Sequence, residues 1–158
     1  MKNELYQSCT LCPRECRADR LSGKKGACGE NSVLRVGRAA LHMWEEPCIS
    51  GTRGSGTVFF SGCSLGCIFC QNRELSSGGL GKEISEERLA EVFLELQEQG
   101  AANINLVTPD HDLPDIVWAL FEAKEQGLRI QGVYTGRGDE KADVIATLEG
   151  LVDNLLSD

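Results

Sequence analysis

Seven of the eight cysteines in this 158-residue chain fall into two groups. Cys63, Cys67 and Cys70 follow one another as C-x3-C-x2-C, and Cys9, Cys12, Cys16 and Cys28 as C-x2-C-x3-C-x11-C; Cys48 stands apart, after Pro47. Spacings of two and three residues let a turning backbone aim successive sulfurs inward, and Gly62 and Gly66 relieve strain in such a turn. Thiolate is the soft ligand of iron–sulfur clusters. A four-iron cluster prefers four ligands, so three cysteines leave one iron open to a small molecule. The competing readings are a zinc site that borrows a distant fourth ligand and buried free cysteine, which suits a polar, Gly-rich loop badly. A [4Fe–4S] cluster on Cys63, Cys67 and Cys70 is the reading adopted.

The first four cysteines lie in a segment, Ser8 to Glu30, with few apolar residues and many helix breakers. Such a segment cannot build a core of its own, and a bound metal would supply folding energy. Cys9, Cys12, Cys16 and Cys28 therefore read as a second site, for zinc or for an auxiliary iron–sulfur cluster; redox-active disulfides are the lesser option. The spacing leaves zinc and iron–sulfur open.

The elements that must position these thiols can be read from apolar periodicity. Val33–Val36 and Ala39–Met43 read as short strands around a turn at Gly37, and Glu46–Gly56 as a loop. Thr57–Phe60 is a short apolar strand that ends at the cysteine loop. Ser85 reads as the N-cap of a helix whose face carries Leu89, Val92, Phe93 and Leu96 and which Gly100 stops. Ile104–Val107 is a second strand. Asp112 is placed to cap a helix with Pro114 in its first turn, lined by Ile116, Val117, Leu120 and Phe121 and ended by Gly127. Ile130–Tyr134 is a third strand, Lys141–Leu148 a third helix and Leu151–Leu156 a fourth strand. The order βαβαβαβ predicts an α/β fold of about four parallel strands with outer helices, either a small doubly wound domain or a partial (βα) barrel. The cysteine loop then sits at the C-terminal end of a parallel strand, where α/β proteins build active sites.

Composition excludes several classes. A formal net charge of -8 argues against non-specific binding to nucleic acid. The basic residues of the first forty positions, among them Arg14, Arg17, Arg20, Lys24, Lys25, Arg35 and Arg38, read as a solvated face. The N-terminus lacks the apolar stretch of a signal peptide, and no apolar run is long enough to cross a membrane, so a cytoplasmic protein is expected. In a reducing compartment, clustered thiols serve metals or catalysis rather than a disulfide framework. His42 reads as structural, Cys48 as inert, and His111, at a strand end, as a weak candidate for touching substrate. Gly51–Thr57 lacks the Lys-Ser/Thr pair of a phosphate loop and reads as a turn. Asp139 and Glu140 read as solvated acids at a helix start.

C-x3-C-x2-C after the first strand of a βα run resembles the signature of the radical S-adenosylmethionine (SAM) superfamily. The wider stretch EEPCISGTRGSGTVFFSGCSLGCIFCQN, followed by LQEQGAANINLVTP, resembles its pyruvate formate-lyase activating enzyme-like branch, and the start CTLCPREC is similar too. The resemblance implies that Cys63, Cys67 and Cys70 hold a [4Fe–4S] cluster whose open iron chelates SAM. One electron, from a donor such as flavodoxin or ferredoxin, then cleaves SAM to methionine and a 5′-deoxyadenosyl radical that abstracts hydrogen from a substrate. In activating enzymes that substrate is a glycine of a partner protein. By the same resemblance Phe69 is the aromatic position near the adenine, and Asn105 to Thr108 form the strand end that approaches SAM, with Asn105 and Thr108 as candidate cofactor contacts. Val107-Thr108-Pro109 stands where the wider superfamily carries Gly-Gly-Glu, and Tyr134-Thr135-Gly136-Arg137-Gly138 lacks the asparagine that the branch places after the tyrosine.

The expected organisation is a Cys-rich segment over 1–50 with short strands and a partial radical SAM barrel over 51–158. Family barrels have six or eight strands, so the resemblance implies a chain shortened at its C-terminal side. Two other functions stay in view: a catalytically incomplete cluster-binding or electron-transfer module, and a zinc-binding structural protein.

Overall fold

A computed structural model describes residues 2–157; Met1 and Asp158, the outer ends of the two expected segments, lie outside the described residues. The fold is α/β, built on a mixed six-stranded sheet. The strands are β1 (Arg35–His42), β2 (Ser55–Phe60), β3 (Lys82–Glu83), β4 (Asn103–Val107), β5 (Gln131–Gly136) and β6 (Asn154–Ser157), in the order β3-β1-β2-β4-β5-β6. β2 pairs parallel with β4, β4 with β5 and β5 with β6, while β1 runs antiparallel to both β2 and β3. The helices are α1 (Lys2–Gln7), α2 (Pro47–Ser50), α3 (Arg73–Ser76), α4 (Glu86–Glu98), α5 (Leu113–Glu125) and α6 (Ala142–Ile145).

The antiparallel part corrects the sequence reading. The two short strands expected around Gly37 are one strand, β1, and Gly37 sits at a register shift between Val36 and Arg38 rather than in a turn. The missing side chain is what that shift requires, because Leu75 packs directly against the Gly37 backbone. The stretch expected as a loop over Glu46–Gly56 contains the short helix α2 and the start of β2. The third helix shortens to α6 with a 3-10 turn at Ala146–Leu148 after it.

The parallel part follows the apolar pattern more closely. Ser85 Oγ accepts the Arg88 N–H at 3.2 Å, and Glu86 and Glu87 complement the dipole of α4. Gly100, at φ 89°, supplies the left-handed residue just past the helix. Leu89, Ala90, Phe93 and Leu96 of α4 and Leu113, Ile116, Ala119, Leu120 and Ala123 of α5 are buried in one core with Val58, Ile104 and Leu106 of the strands. Each fully buried Leu, Ile or Phe contributes about 1.5–3 kcal/mol. Phe121, expected on the core face of α5, is exposed.

Asp112 stands at the N-cap position of α5, but its side chain makes no cap hydrogen bond. It accepts instead from Arg20 Nη2 at 2.9 Å. Arg20 is fully buried, against the expectation of a solvated basic face. Its guanidinium also donates to the carbonyls of Asn31 and His111 and lies 4.6 Å from the centre of the Tyr6 ring. The Tyr6 hydroxyl in turn donates to Asp115 of α5. The polar N-terminal segment is thus fastened to the helical layer by one buried cation and its partners. Among the described residues no helix is long and apolar enough to cross a membrane.

Candidate metal centre

Cys63, Cys67 and Cys70 lie on the irregular loop that leaves β2, each partly exposed. Gly62 and Gly66 adopt φ of 88° and 68°, as a tight turn without Cβ atoms allows. All three cysteines line one cavity of about 380 Å³. The cavity opens at the C-terminal ends of β2, β4 and β5, whose terminal residues Phe60, Val107, Thr108, Thr135 and Gly136 form its floor, with Arg137 beside them. Phe69 lines the rim and is 85% exposed.

Two backbone contacts seat this loop. The Gly62 N–H donates to Leu75 O of α3 at 2.8 Å, and the Cys63 N–H donates to Cys28 O at 3.1 Å. A Cβ on Gly62 would come within 2.7 Å of Cys28 O. Glu30, buried beside Cys28, accepts from Ser61 Oγ at 2.9 Å, from the Gly79 N–H at 2.5 Å and from Arg35 at 2.7 Å. Burial would raise its pKa, yet these donors together hold the carboxyl below its ordinary value. Arg14 Nε adds a bond to Ser64 O at 3.0 Å.

Thr108 is a β-branched residue at φ 55°, a left-handed conformation that costs free energy and that functional sites tend to carry. It lines the cavity. Asn105 does not: it is fully buried and accepts from Thr135 Oγ1 at 2.7 Å, so it holds a cavity residue rather than facing the cavity itself.

His111 is buried, with Nε2 2.6 Å from Ser61 O, and does not reach the cavity. Burial pulls its pKa down, but the charges of Asp112 and Asp110 outweigh burial and push it up to about 9. Asp139 and Glu140 are not merely solvated. Asp139 pairs with Arg137 at 3.0 Å, and Glu140 accepts the backbone N–H groups of Arg137 and Gly138 at 2.6 and 3.0 Å. Arg137, Glu30, Arg20 and Asp110 were not singled out by the sequence as site residues; the polar partners that define them are for the most part distant along the chain.

The N-terminal cysteines have different surroundings. Cys9, Cys12 and Cys28 are buried and Cys16 is exposed. The sulfurs of Cys16 and Cys28 both stand 3.4 Å from where a Cβ on Gly26 would lie, so both approach the same glycine. Cys9 Sγ lies 3.8 Å from Arg20 Nη1. Burial pushes the Cys28 thiol up to about 12. Cys48 is exposed on α2.

A model of the radical SAM superfamily matches residues 57–156, which is more than half of the chain. The chain belongs to the radical SAM superfamily, and the family implies a [4Fe–4S] cluster and S-adenosylmethionine. An uncharacterized protein of Methanocaldococcus jannaschii is 24% identical over 161 residues, covering 98% of this chain and 46% of that protein. The chain therefore spans less than half the length of that relative. No solved structure matches it.

The donor set suits the group the family implies: three thiols on one loop, partly open to solvent and lining one cavity with no carboxylate in its wall. Among the described residues no three Cys, His, Asp or Glu side chains converge on one point as they stand.

Proposed function

We propose that Cys63, Cys67 and Cys70 hold a [4Fe–4S] cluster with which the chain cleaves SAM reductively for hydrogen abstraction, as in the pyruvate formate-lyase activating enzyme-like branch. The observation that carries this reading is the shared cavity: the three cysteines face the C-terminal ends of three adjacent strands, two of which supply Thr108 and Thr135. When bound, the cluster supplies the single electron that breaks SAM into methionine and a 5′-deoxyadenosyl radical. The chain's own residues do the rest. The loop would offer three thiolates to the cluster; Phe69 at the rim would pack on the adenine of SAM; Thr108, held in its left-handed conformation at the end of β4, would contact SAM; and Phe59, Phe60, Leu65 and Val107 make the wall apolar, which limits water at the reacting centre.

The branch assignment rests on the stretches quoted above, from Glu45 to Asn72 and from Leu96 to Pro109. It points to a protein glycine or another unactivated C–H bond as substrate and to a flavodoxin or ferredoxin as reductant. Within this reading residues 51–158 are part of a (βα) barrel and residues 1–50 a Cys-rich preface, with Cys9, Cys12, Cys16 and Cys28 as a second metal site for zinc or iron–sulfur. The approach of two of those sulfurs to Gly26 supports that second site.

The test is iron and acid-labile sulfide per chain after anaerobic reconstitution, in the wild type and in a Cys63→Ala/Cys67→Ala/Cys70→Ala triple variant. The expected result is about four irons in the wild type's SAM-type site, as a [4Fe–4S] cluster requires, all lost in the variant. Reduced wild-type protein should then release methionine and 5′-deoxyadenosine from SAM. A full cluster without SAM cleavage would leave an electron-transfer or cluster-binding module. Zinc in place of iron would overturn the reading.

A further inference from the structure

Arg137 follows β5 and is separated from the cysteine loop by 73 residues at its nearer contact, Ser64, and 74 at Cys63. Its side chain is 10% exposed. The guanidinium divides its donors between two sides. On one side Nη2 binds Asp110 Oδ2 at 2.9 Å and Nε binds Asp139 Oδ1 at 3.0 Å. On the other, Nη1 donates to Ser64 Oγ at 2.8 Å and to Cys63 Sγ at 3.6 Å. An arginine that served only to pair with Asp110 and Asp139 would need neither contact on the loop. The two carboxylates fix the plane of the fork, and the fixed plane aims the remaining edge at the sulfur.

The consequence depends on the reading of Cys63 as a cluster ligand, on which this inference rests. Reduction places one more unit of negative charge on the iron, sulfide and thiolate framework. A donor aimed at a ligand sulfur stabilises that charge, and hydrogen bonds to sulfur are among the factors that set cluster potential. Asp110 and Asp139 act in the opposite sense but stand behind the guanidinium, so the nearer cation dominates at the sulfur. We propose that Arg137 is a positioning residue that raises the reduction potential of the cluster through its N–H contact with Cys63, and that Asp110 and Asp139 set its aim. Its place at the end of β5, which β4 separates from the cysteine loop's strand β2, ties the electron affinity of the cluster to the packing of β5 against β4.

The proposal is tested by redox titration of the reconstituted protein, followed by electron paramagnetic resonance, in the wild type, Arg137→Gln and Arg137→Lys. Iron content is measured in each. At the wild-type midpoint, Arg137→Gln should show a ratio of reduced to oxidised cluster about tenfold lower, a shift of about 59 mV to more negative potential for a one-electron couple, and Arg137→Lys should fall between. An unmoved midpoint at full iron content would overturn the proposal. A measurement on the wild type guards against variants that fail to load: with arginine labelled by 15N in the guanidinium, the reduced cluster should show a nitrogen hyperfine coupling. Absence of that coupling in the wild type, or a coupling that persists unchanged in a loaded Arg137→Lys, would overturn the proposal whatever Arg137→Gln does. A wild type without iron would remove the cluster reading and the inference together, whereas a full cluster with an unmoved potential would remove the inference alone.

Discussion

The two cysteine groups are built on opposite plans. Cys63, Cys67 and Cys70 are all partly exposed on a loop that opens into a cavity, and the strands beneath them are held by an apolar core. Cys9, Cys12 and Cys28 are buried in a segment whose own apolar cluster is small, Tyr6, Cys9 and Leu11, and which is organised around the Arg20 guanidinium. The first plan leaves ligands free to reach a small molecule and lets the fold stand without them. The second makes the thiols part of what holds the segment in place. On the proposed reading the exposed group serves exchange and the buried group structure, so mutation should lower cluster loading in the first and stability in the second.

That contrast breaks most sharply at Arg20. Arg20→Leu leaves Asp112 buried without its cation and removes the cation over Tyr6, and is expected to cost about 3–5 kcal/mol. Urea unfolding should show it; a loss below 1 kcal/mol would mean that the N-terminal segment is fastened by something other than the buried cation. Gly62→Ala comes next. A left-handed φ of 88° and a Cβ 2.7 Å from Cys28 O predict a loss of about 1–3 kcal/mol together with reduced iron uptake. Normal iron content in that variant would show that the seating of the loop on Cys28 is unimportant to the cluster.

His111 sharpens the comparison through pH. Its pKa in the folded chain, about 9, exceeds the unfolded value of about 6.5. Its contribution to stability is then fully present below about pH 6.5 and is lost as pH rises toward 9. The groups facing it are Asp110, Asp112 and Arg20. The difference in urea midpoint between wild type and His111→Asn should shrink across that window, and a difference independent of pH would refute the charged state. The smallest effect on stability belongs to Phe69→Ala, about 0.5 kcal/mol or less for so exposed a side chain. On the proposed reading the same change weakens SAM binding by calorimetry, and unchanged affinity would take Phe69 out of the site.

Much of this arrangement was legible in the sequence where periodicity carries it. β2, α4, β4 and α5 fall close to their expected positions because burial on one face writes a repeating apolar pattern. The cysteine loop announced itself by residue type and spacing. Elsewhere the information is not local. Gly37 looks like a turn until Leu75, distant in the chain, is found packed on it. Arg20 looks like a surface cation because a sequence shows charge but not depth. Asp112 was correctly placed at the start of α5, yet its carboxylate is taken by Arg20, a stronger partner than a helix N–H. Arg137 lacked a readable role because its partners on the cysteine loop lie 73 and 74 residues away, on the other side of three strands and three helices.

The hydrogen bond from the Cys63 amide to the Cys28 carbonyl joins the two plans, beside the one from Arg14 Nε to Ser64 O. One residue of each candidate binding loop takes part in it. If that bond differs between the empty and filled states of both loops, the factor by which one ligand changes the affinity of the other is the same in either direction. On the proposed reading of two sites, loading the N-terminal cysteines and loading the cavity cysteines are then one linked equilibrium, and the order in which the two are filled changes the route but not the sum.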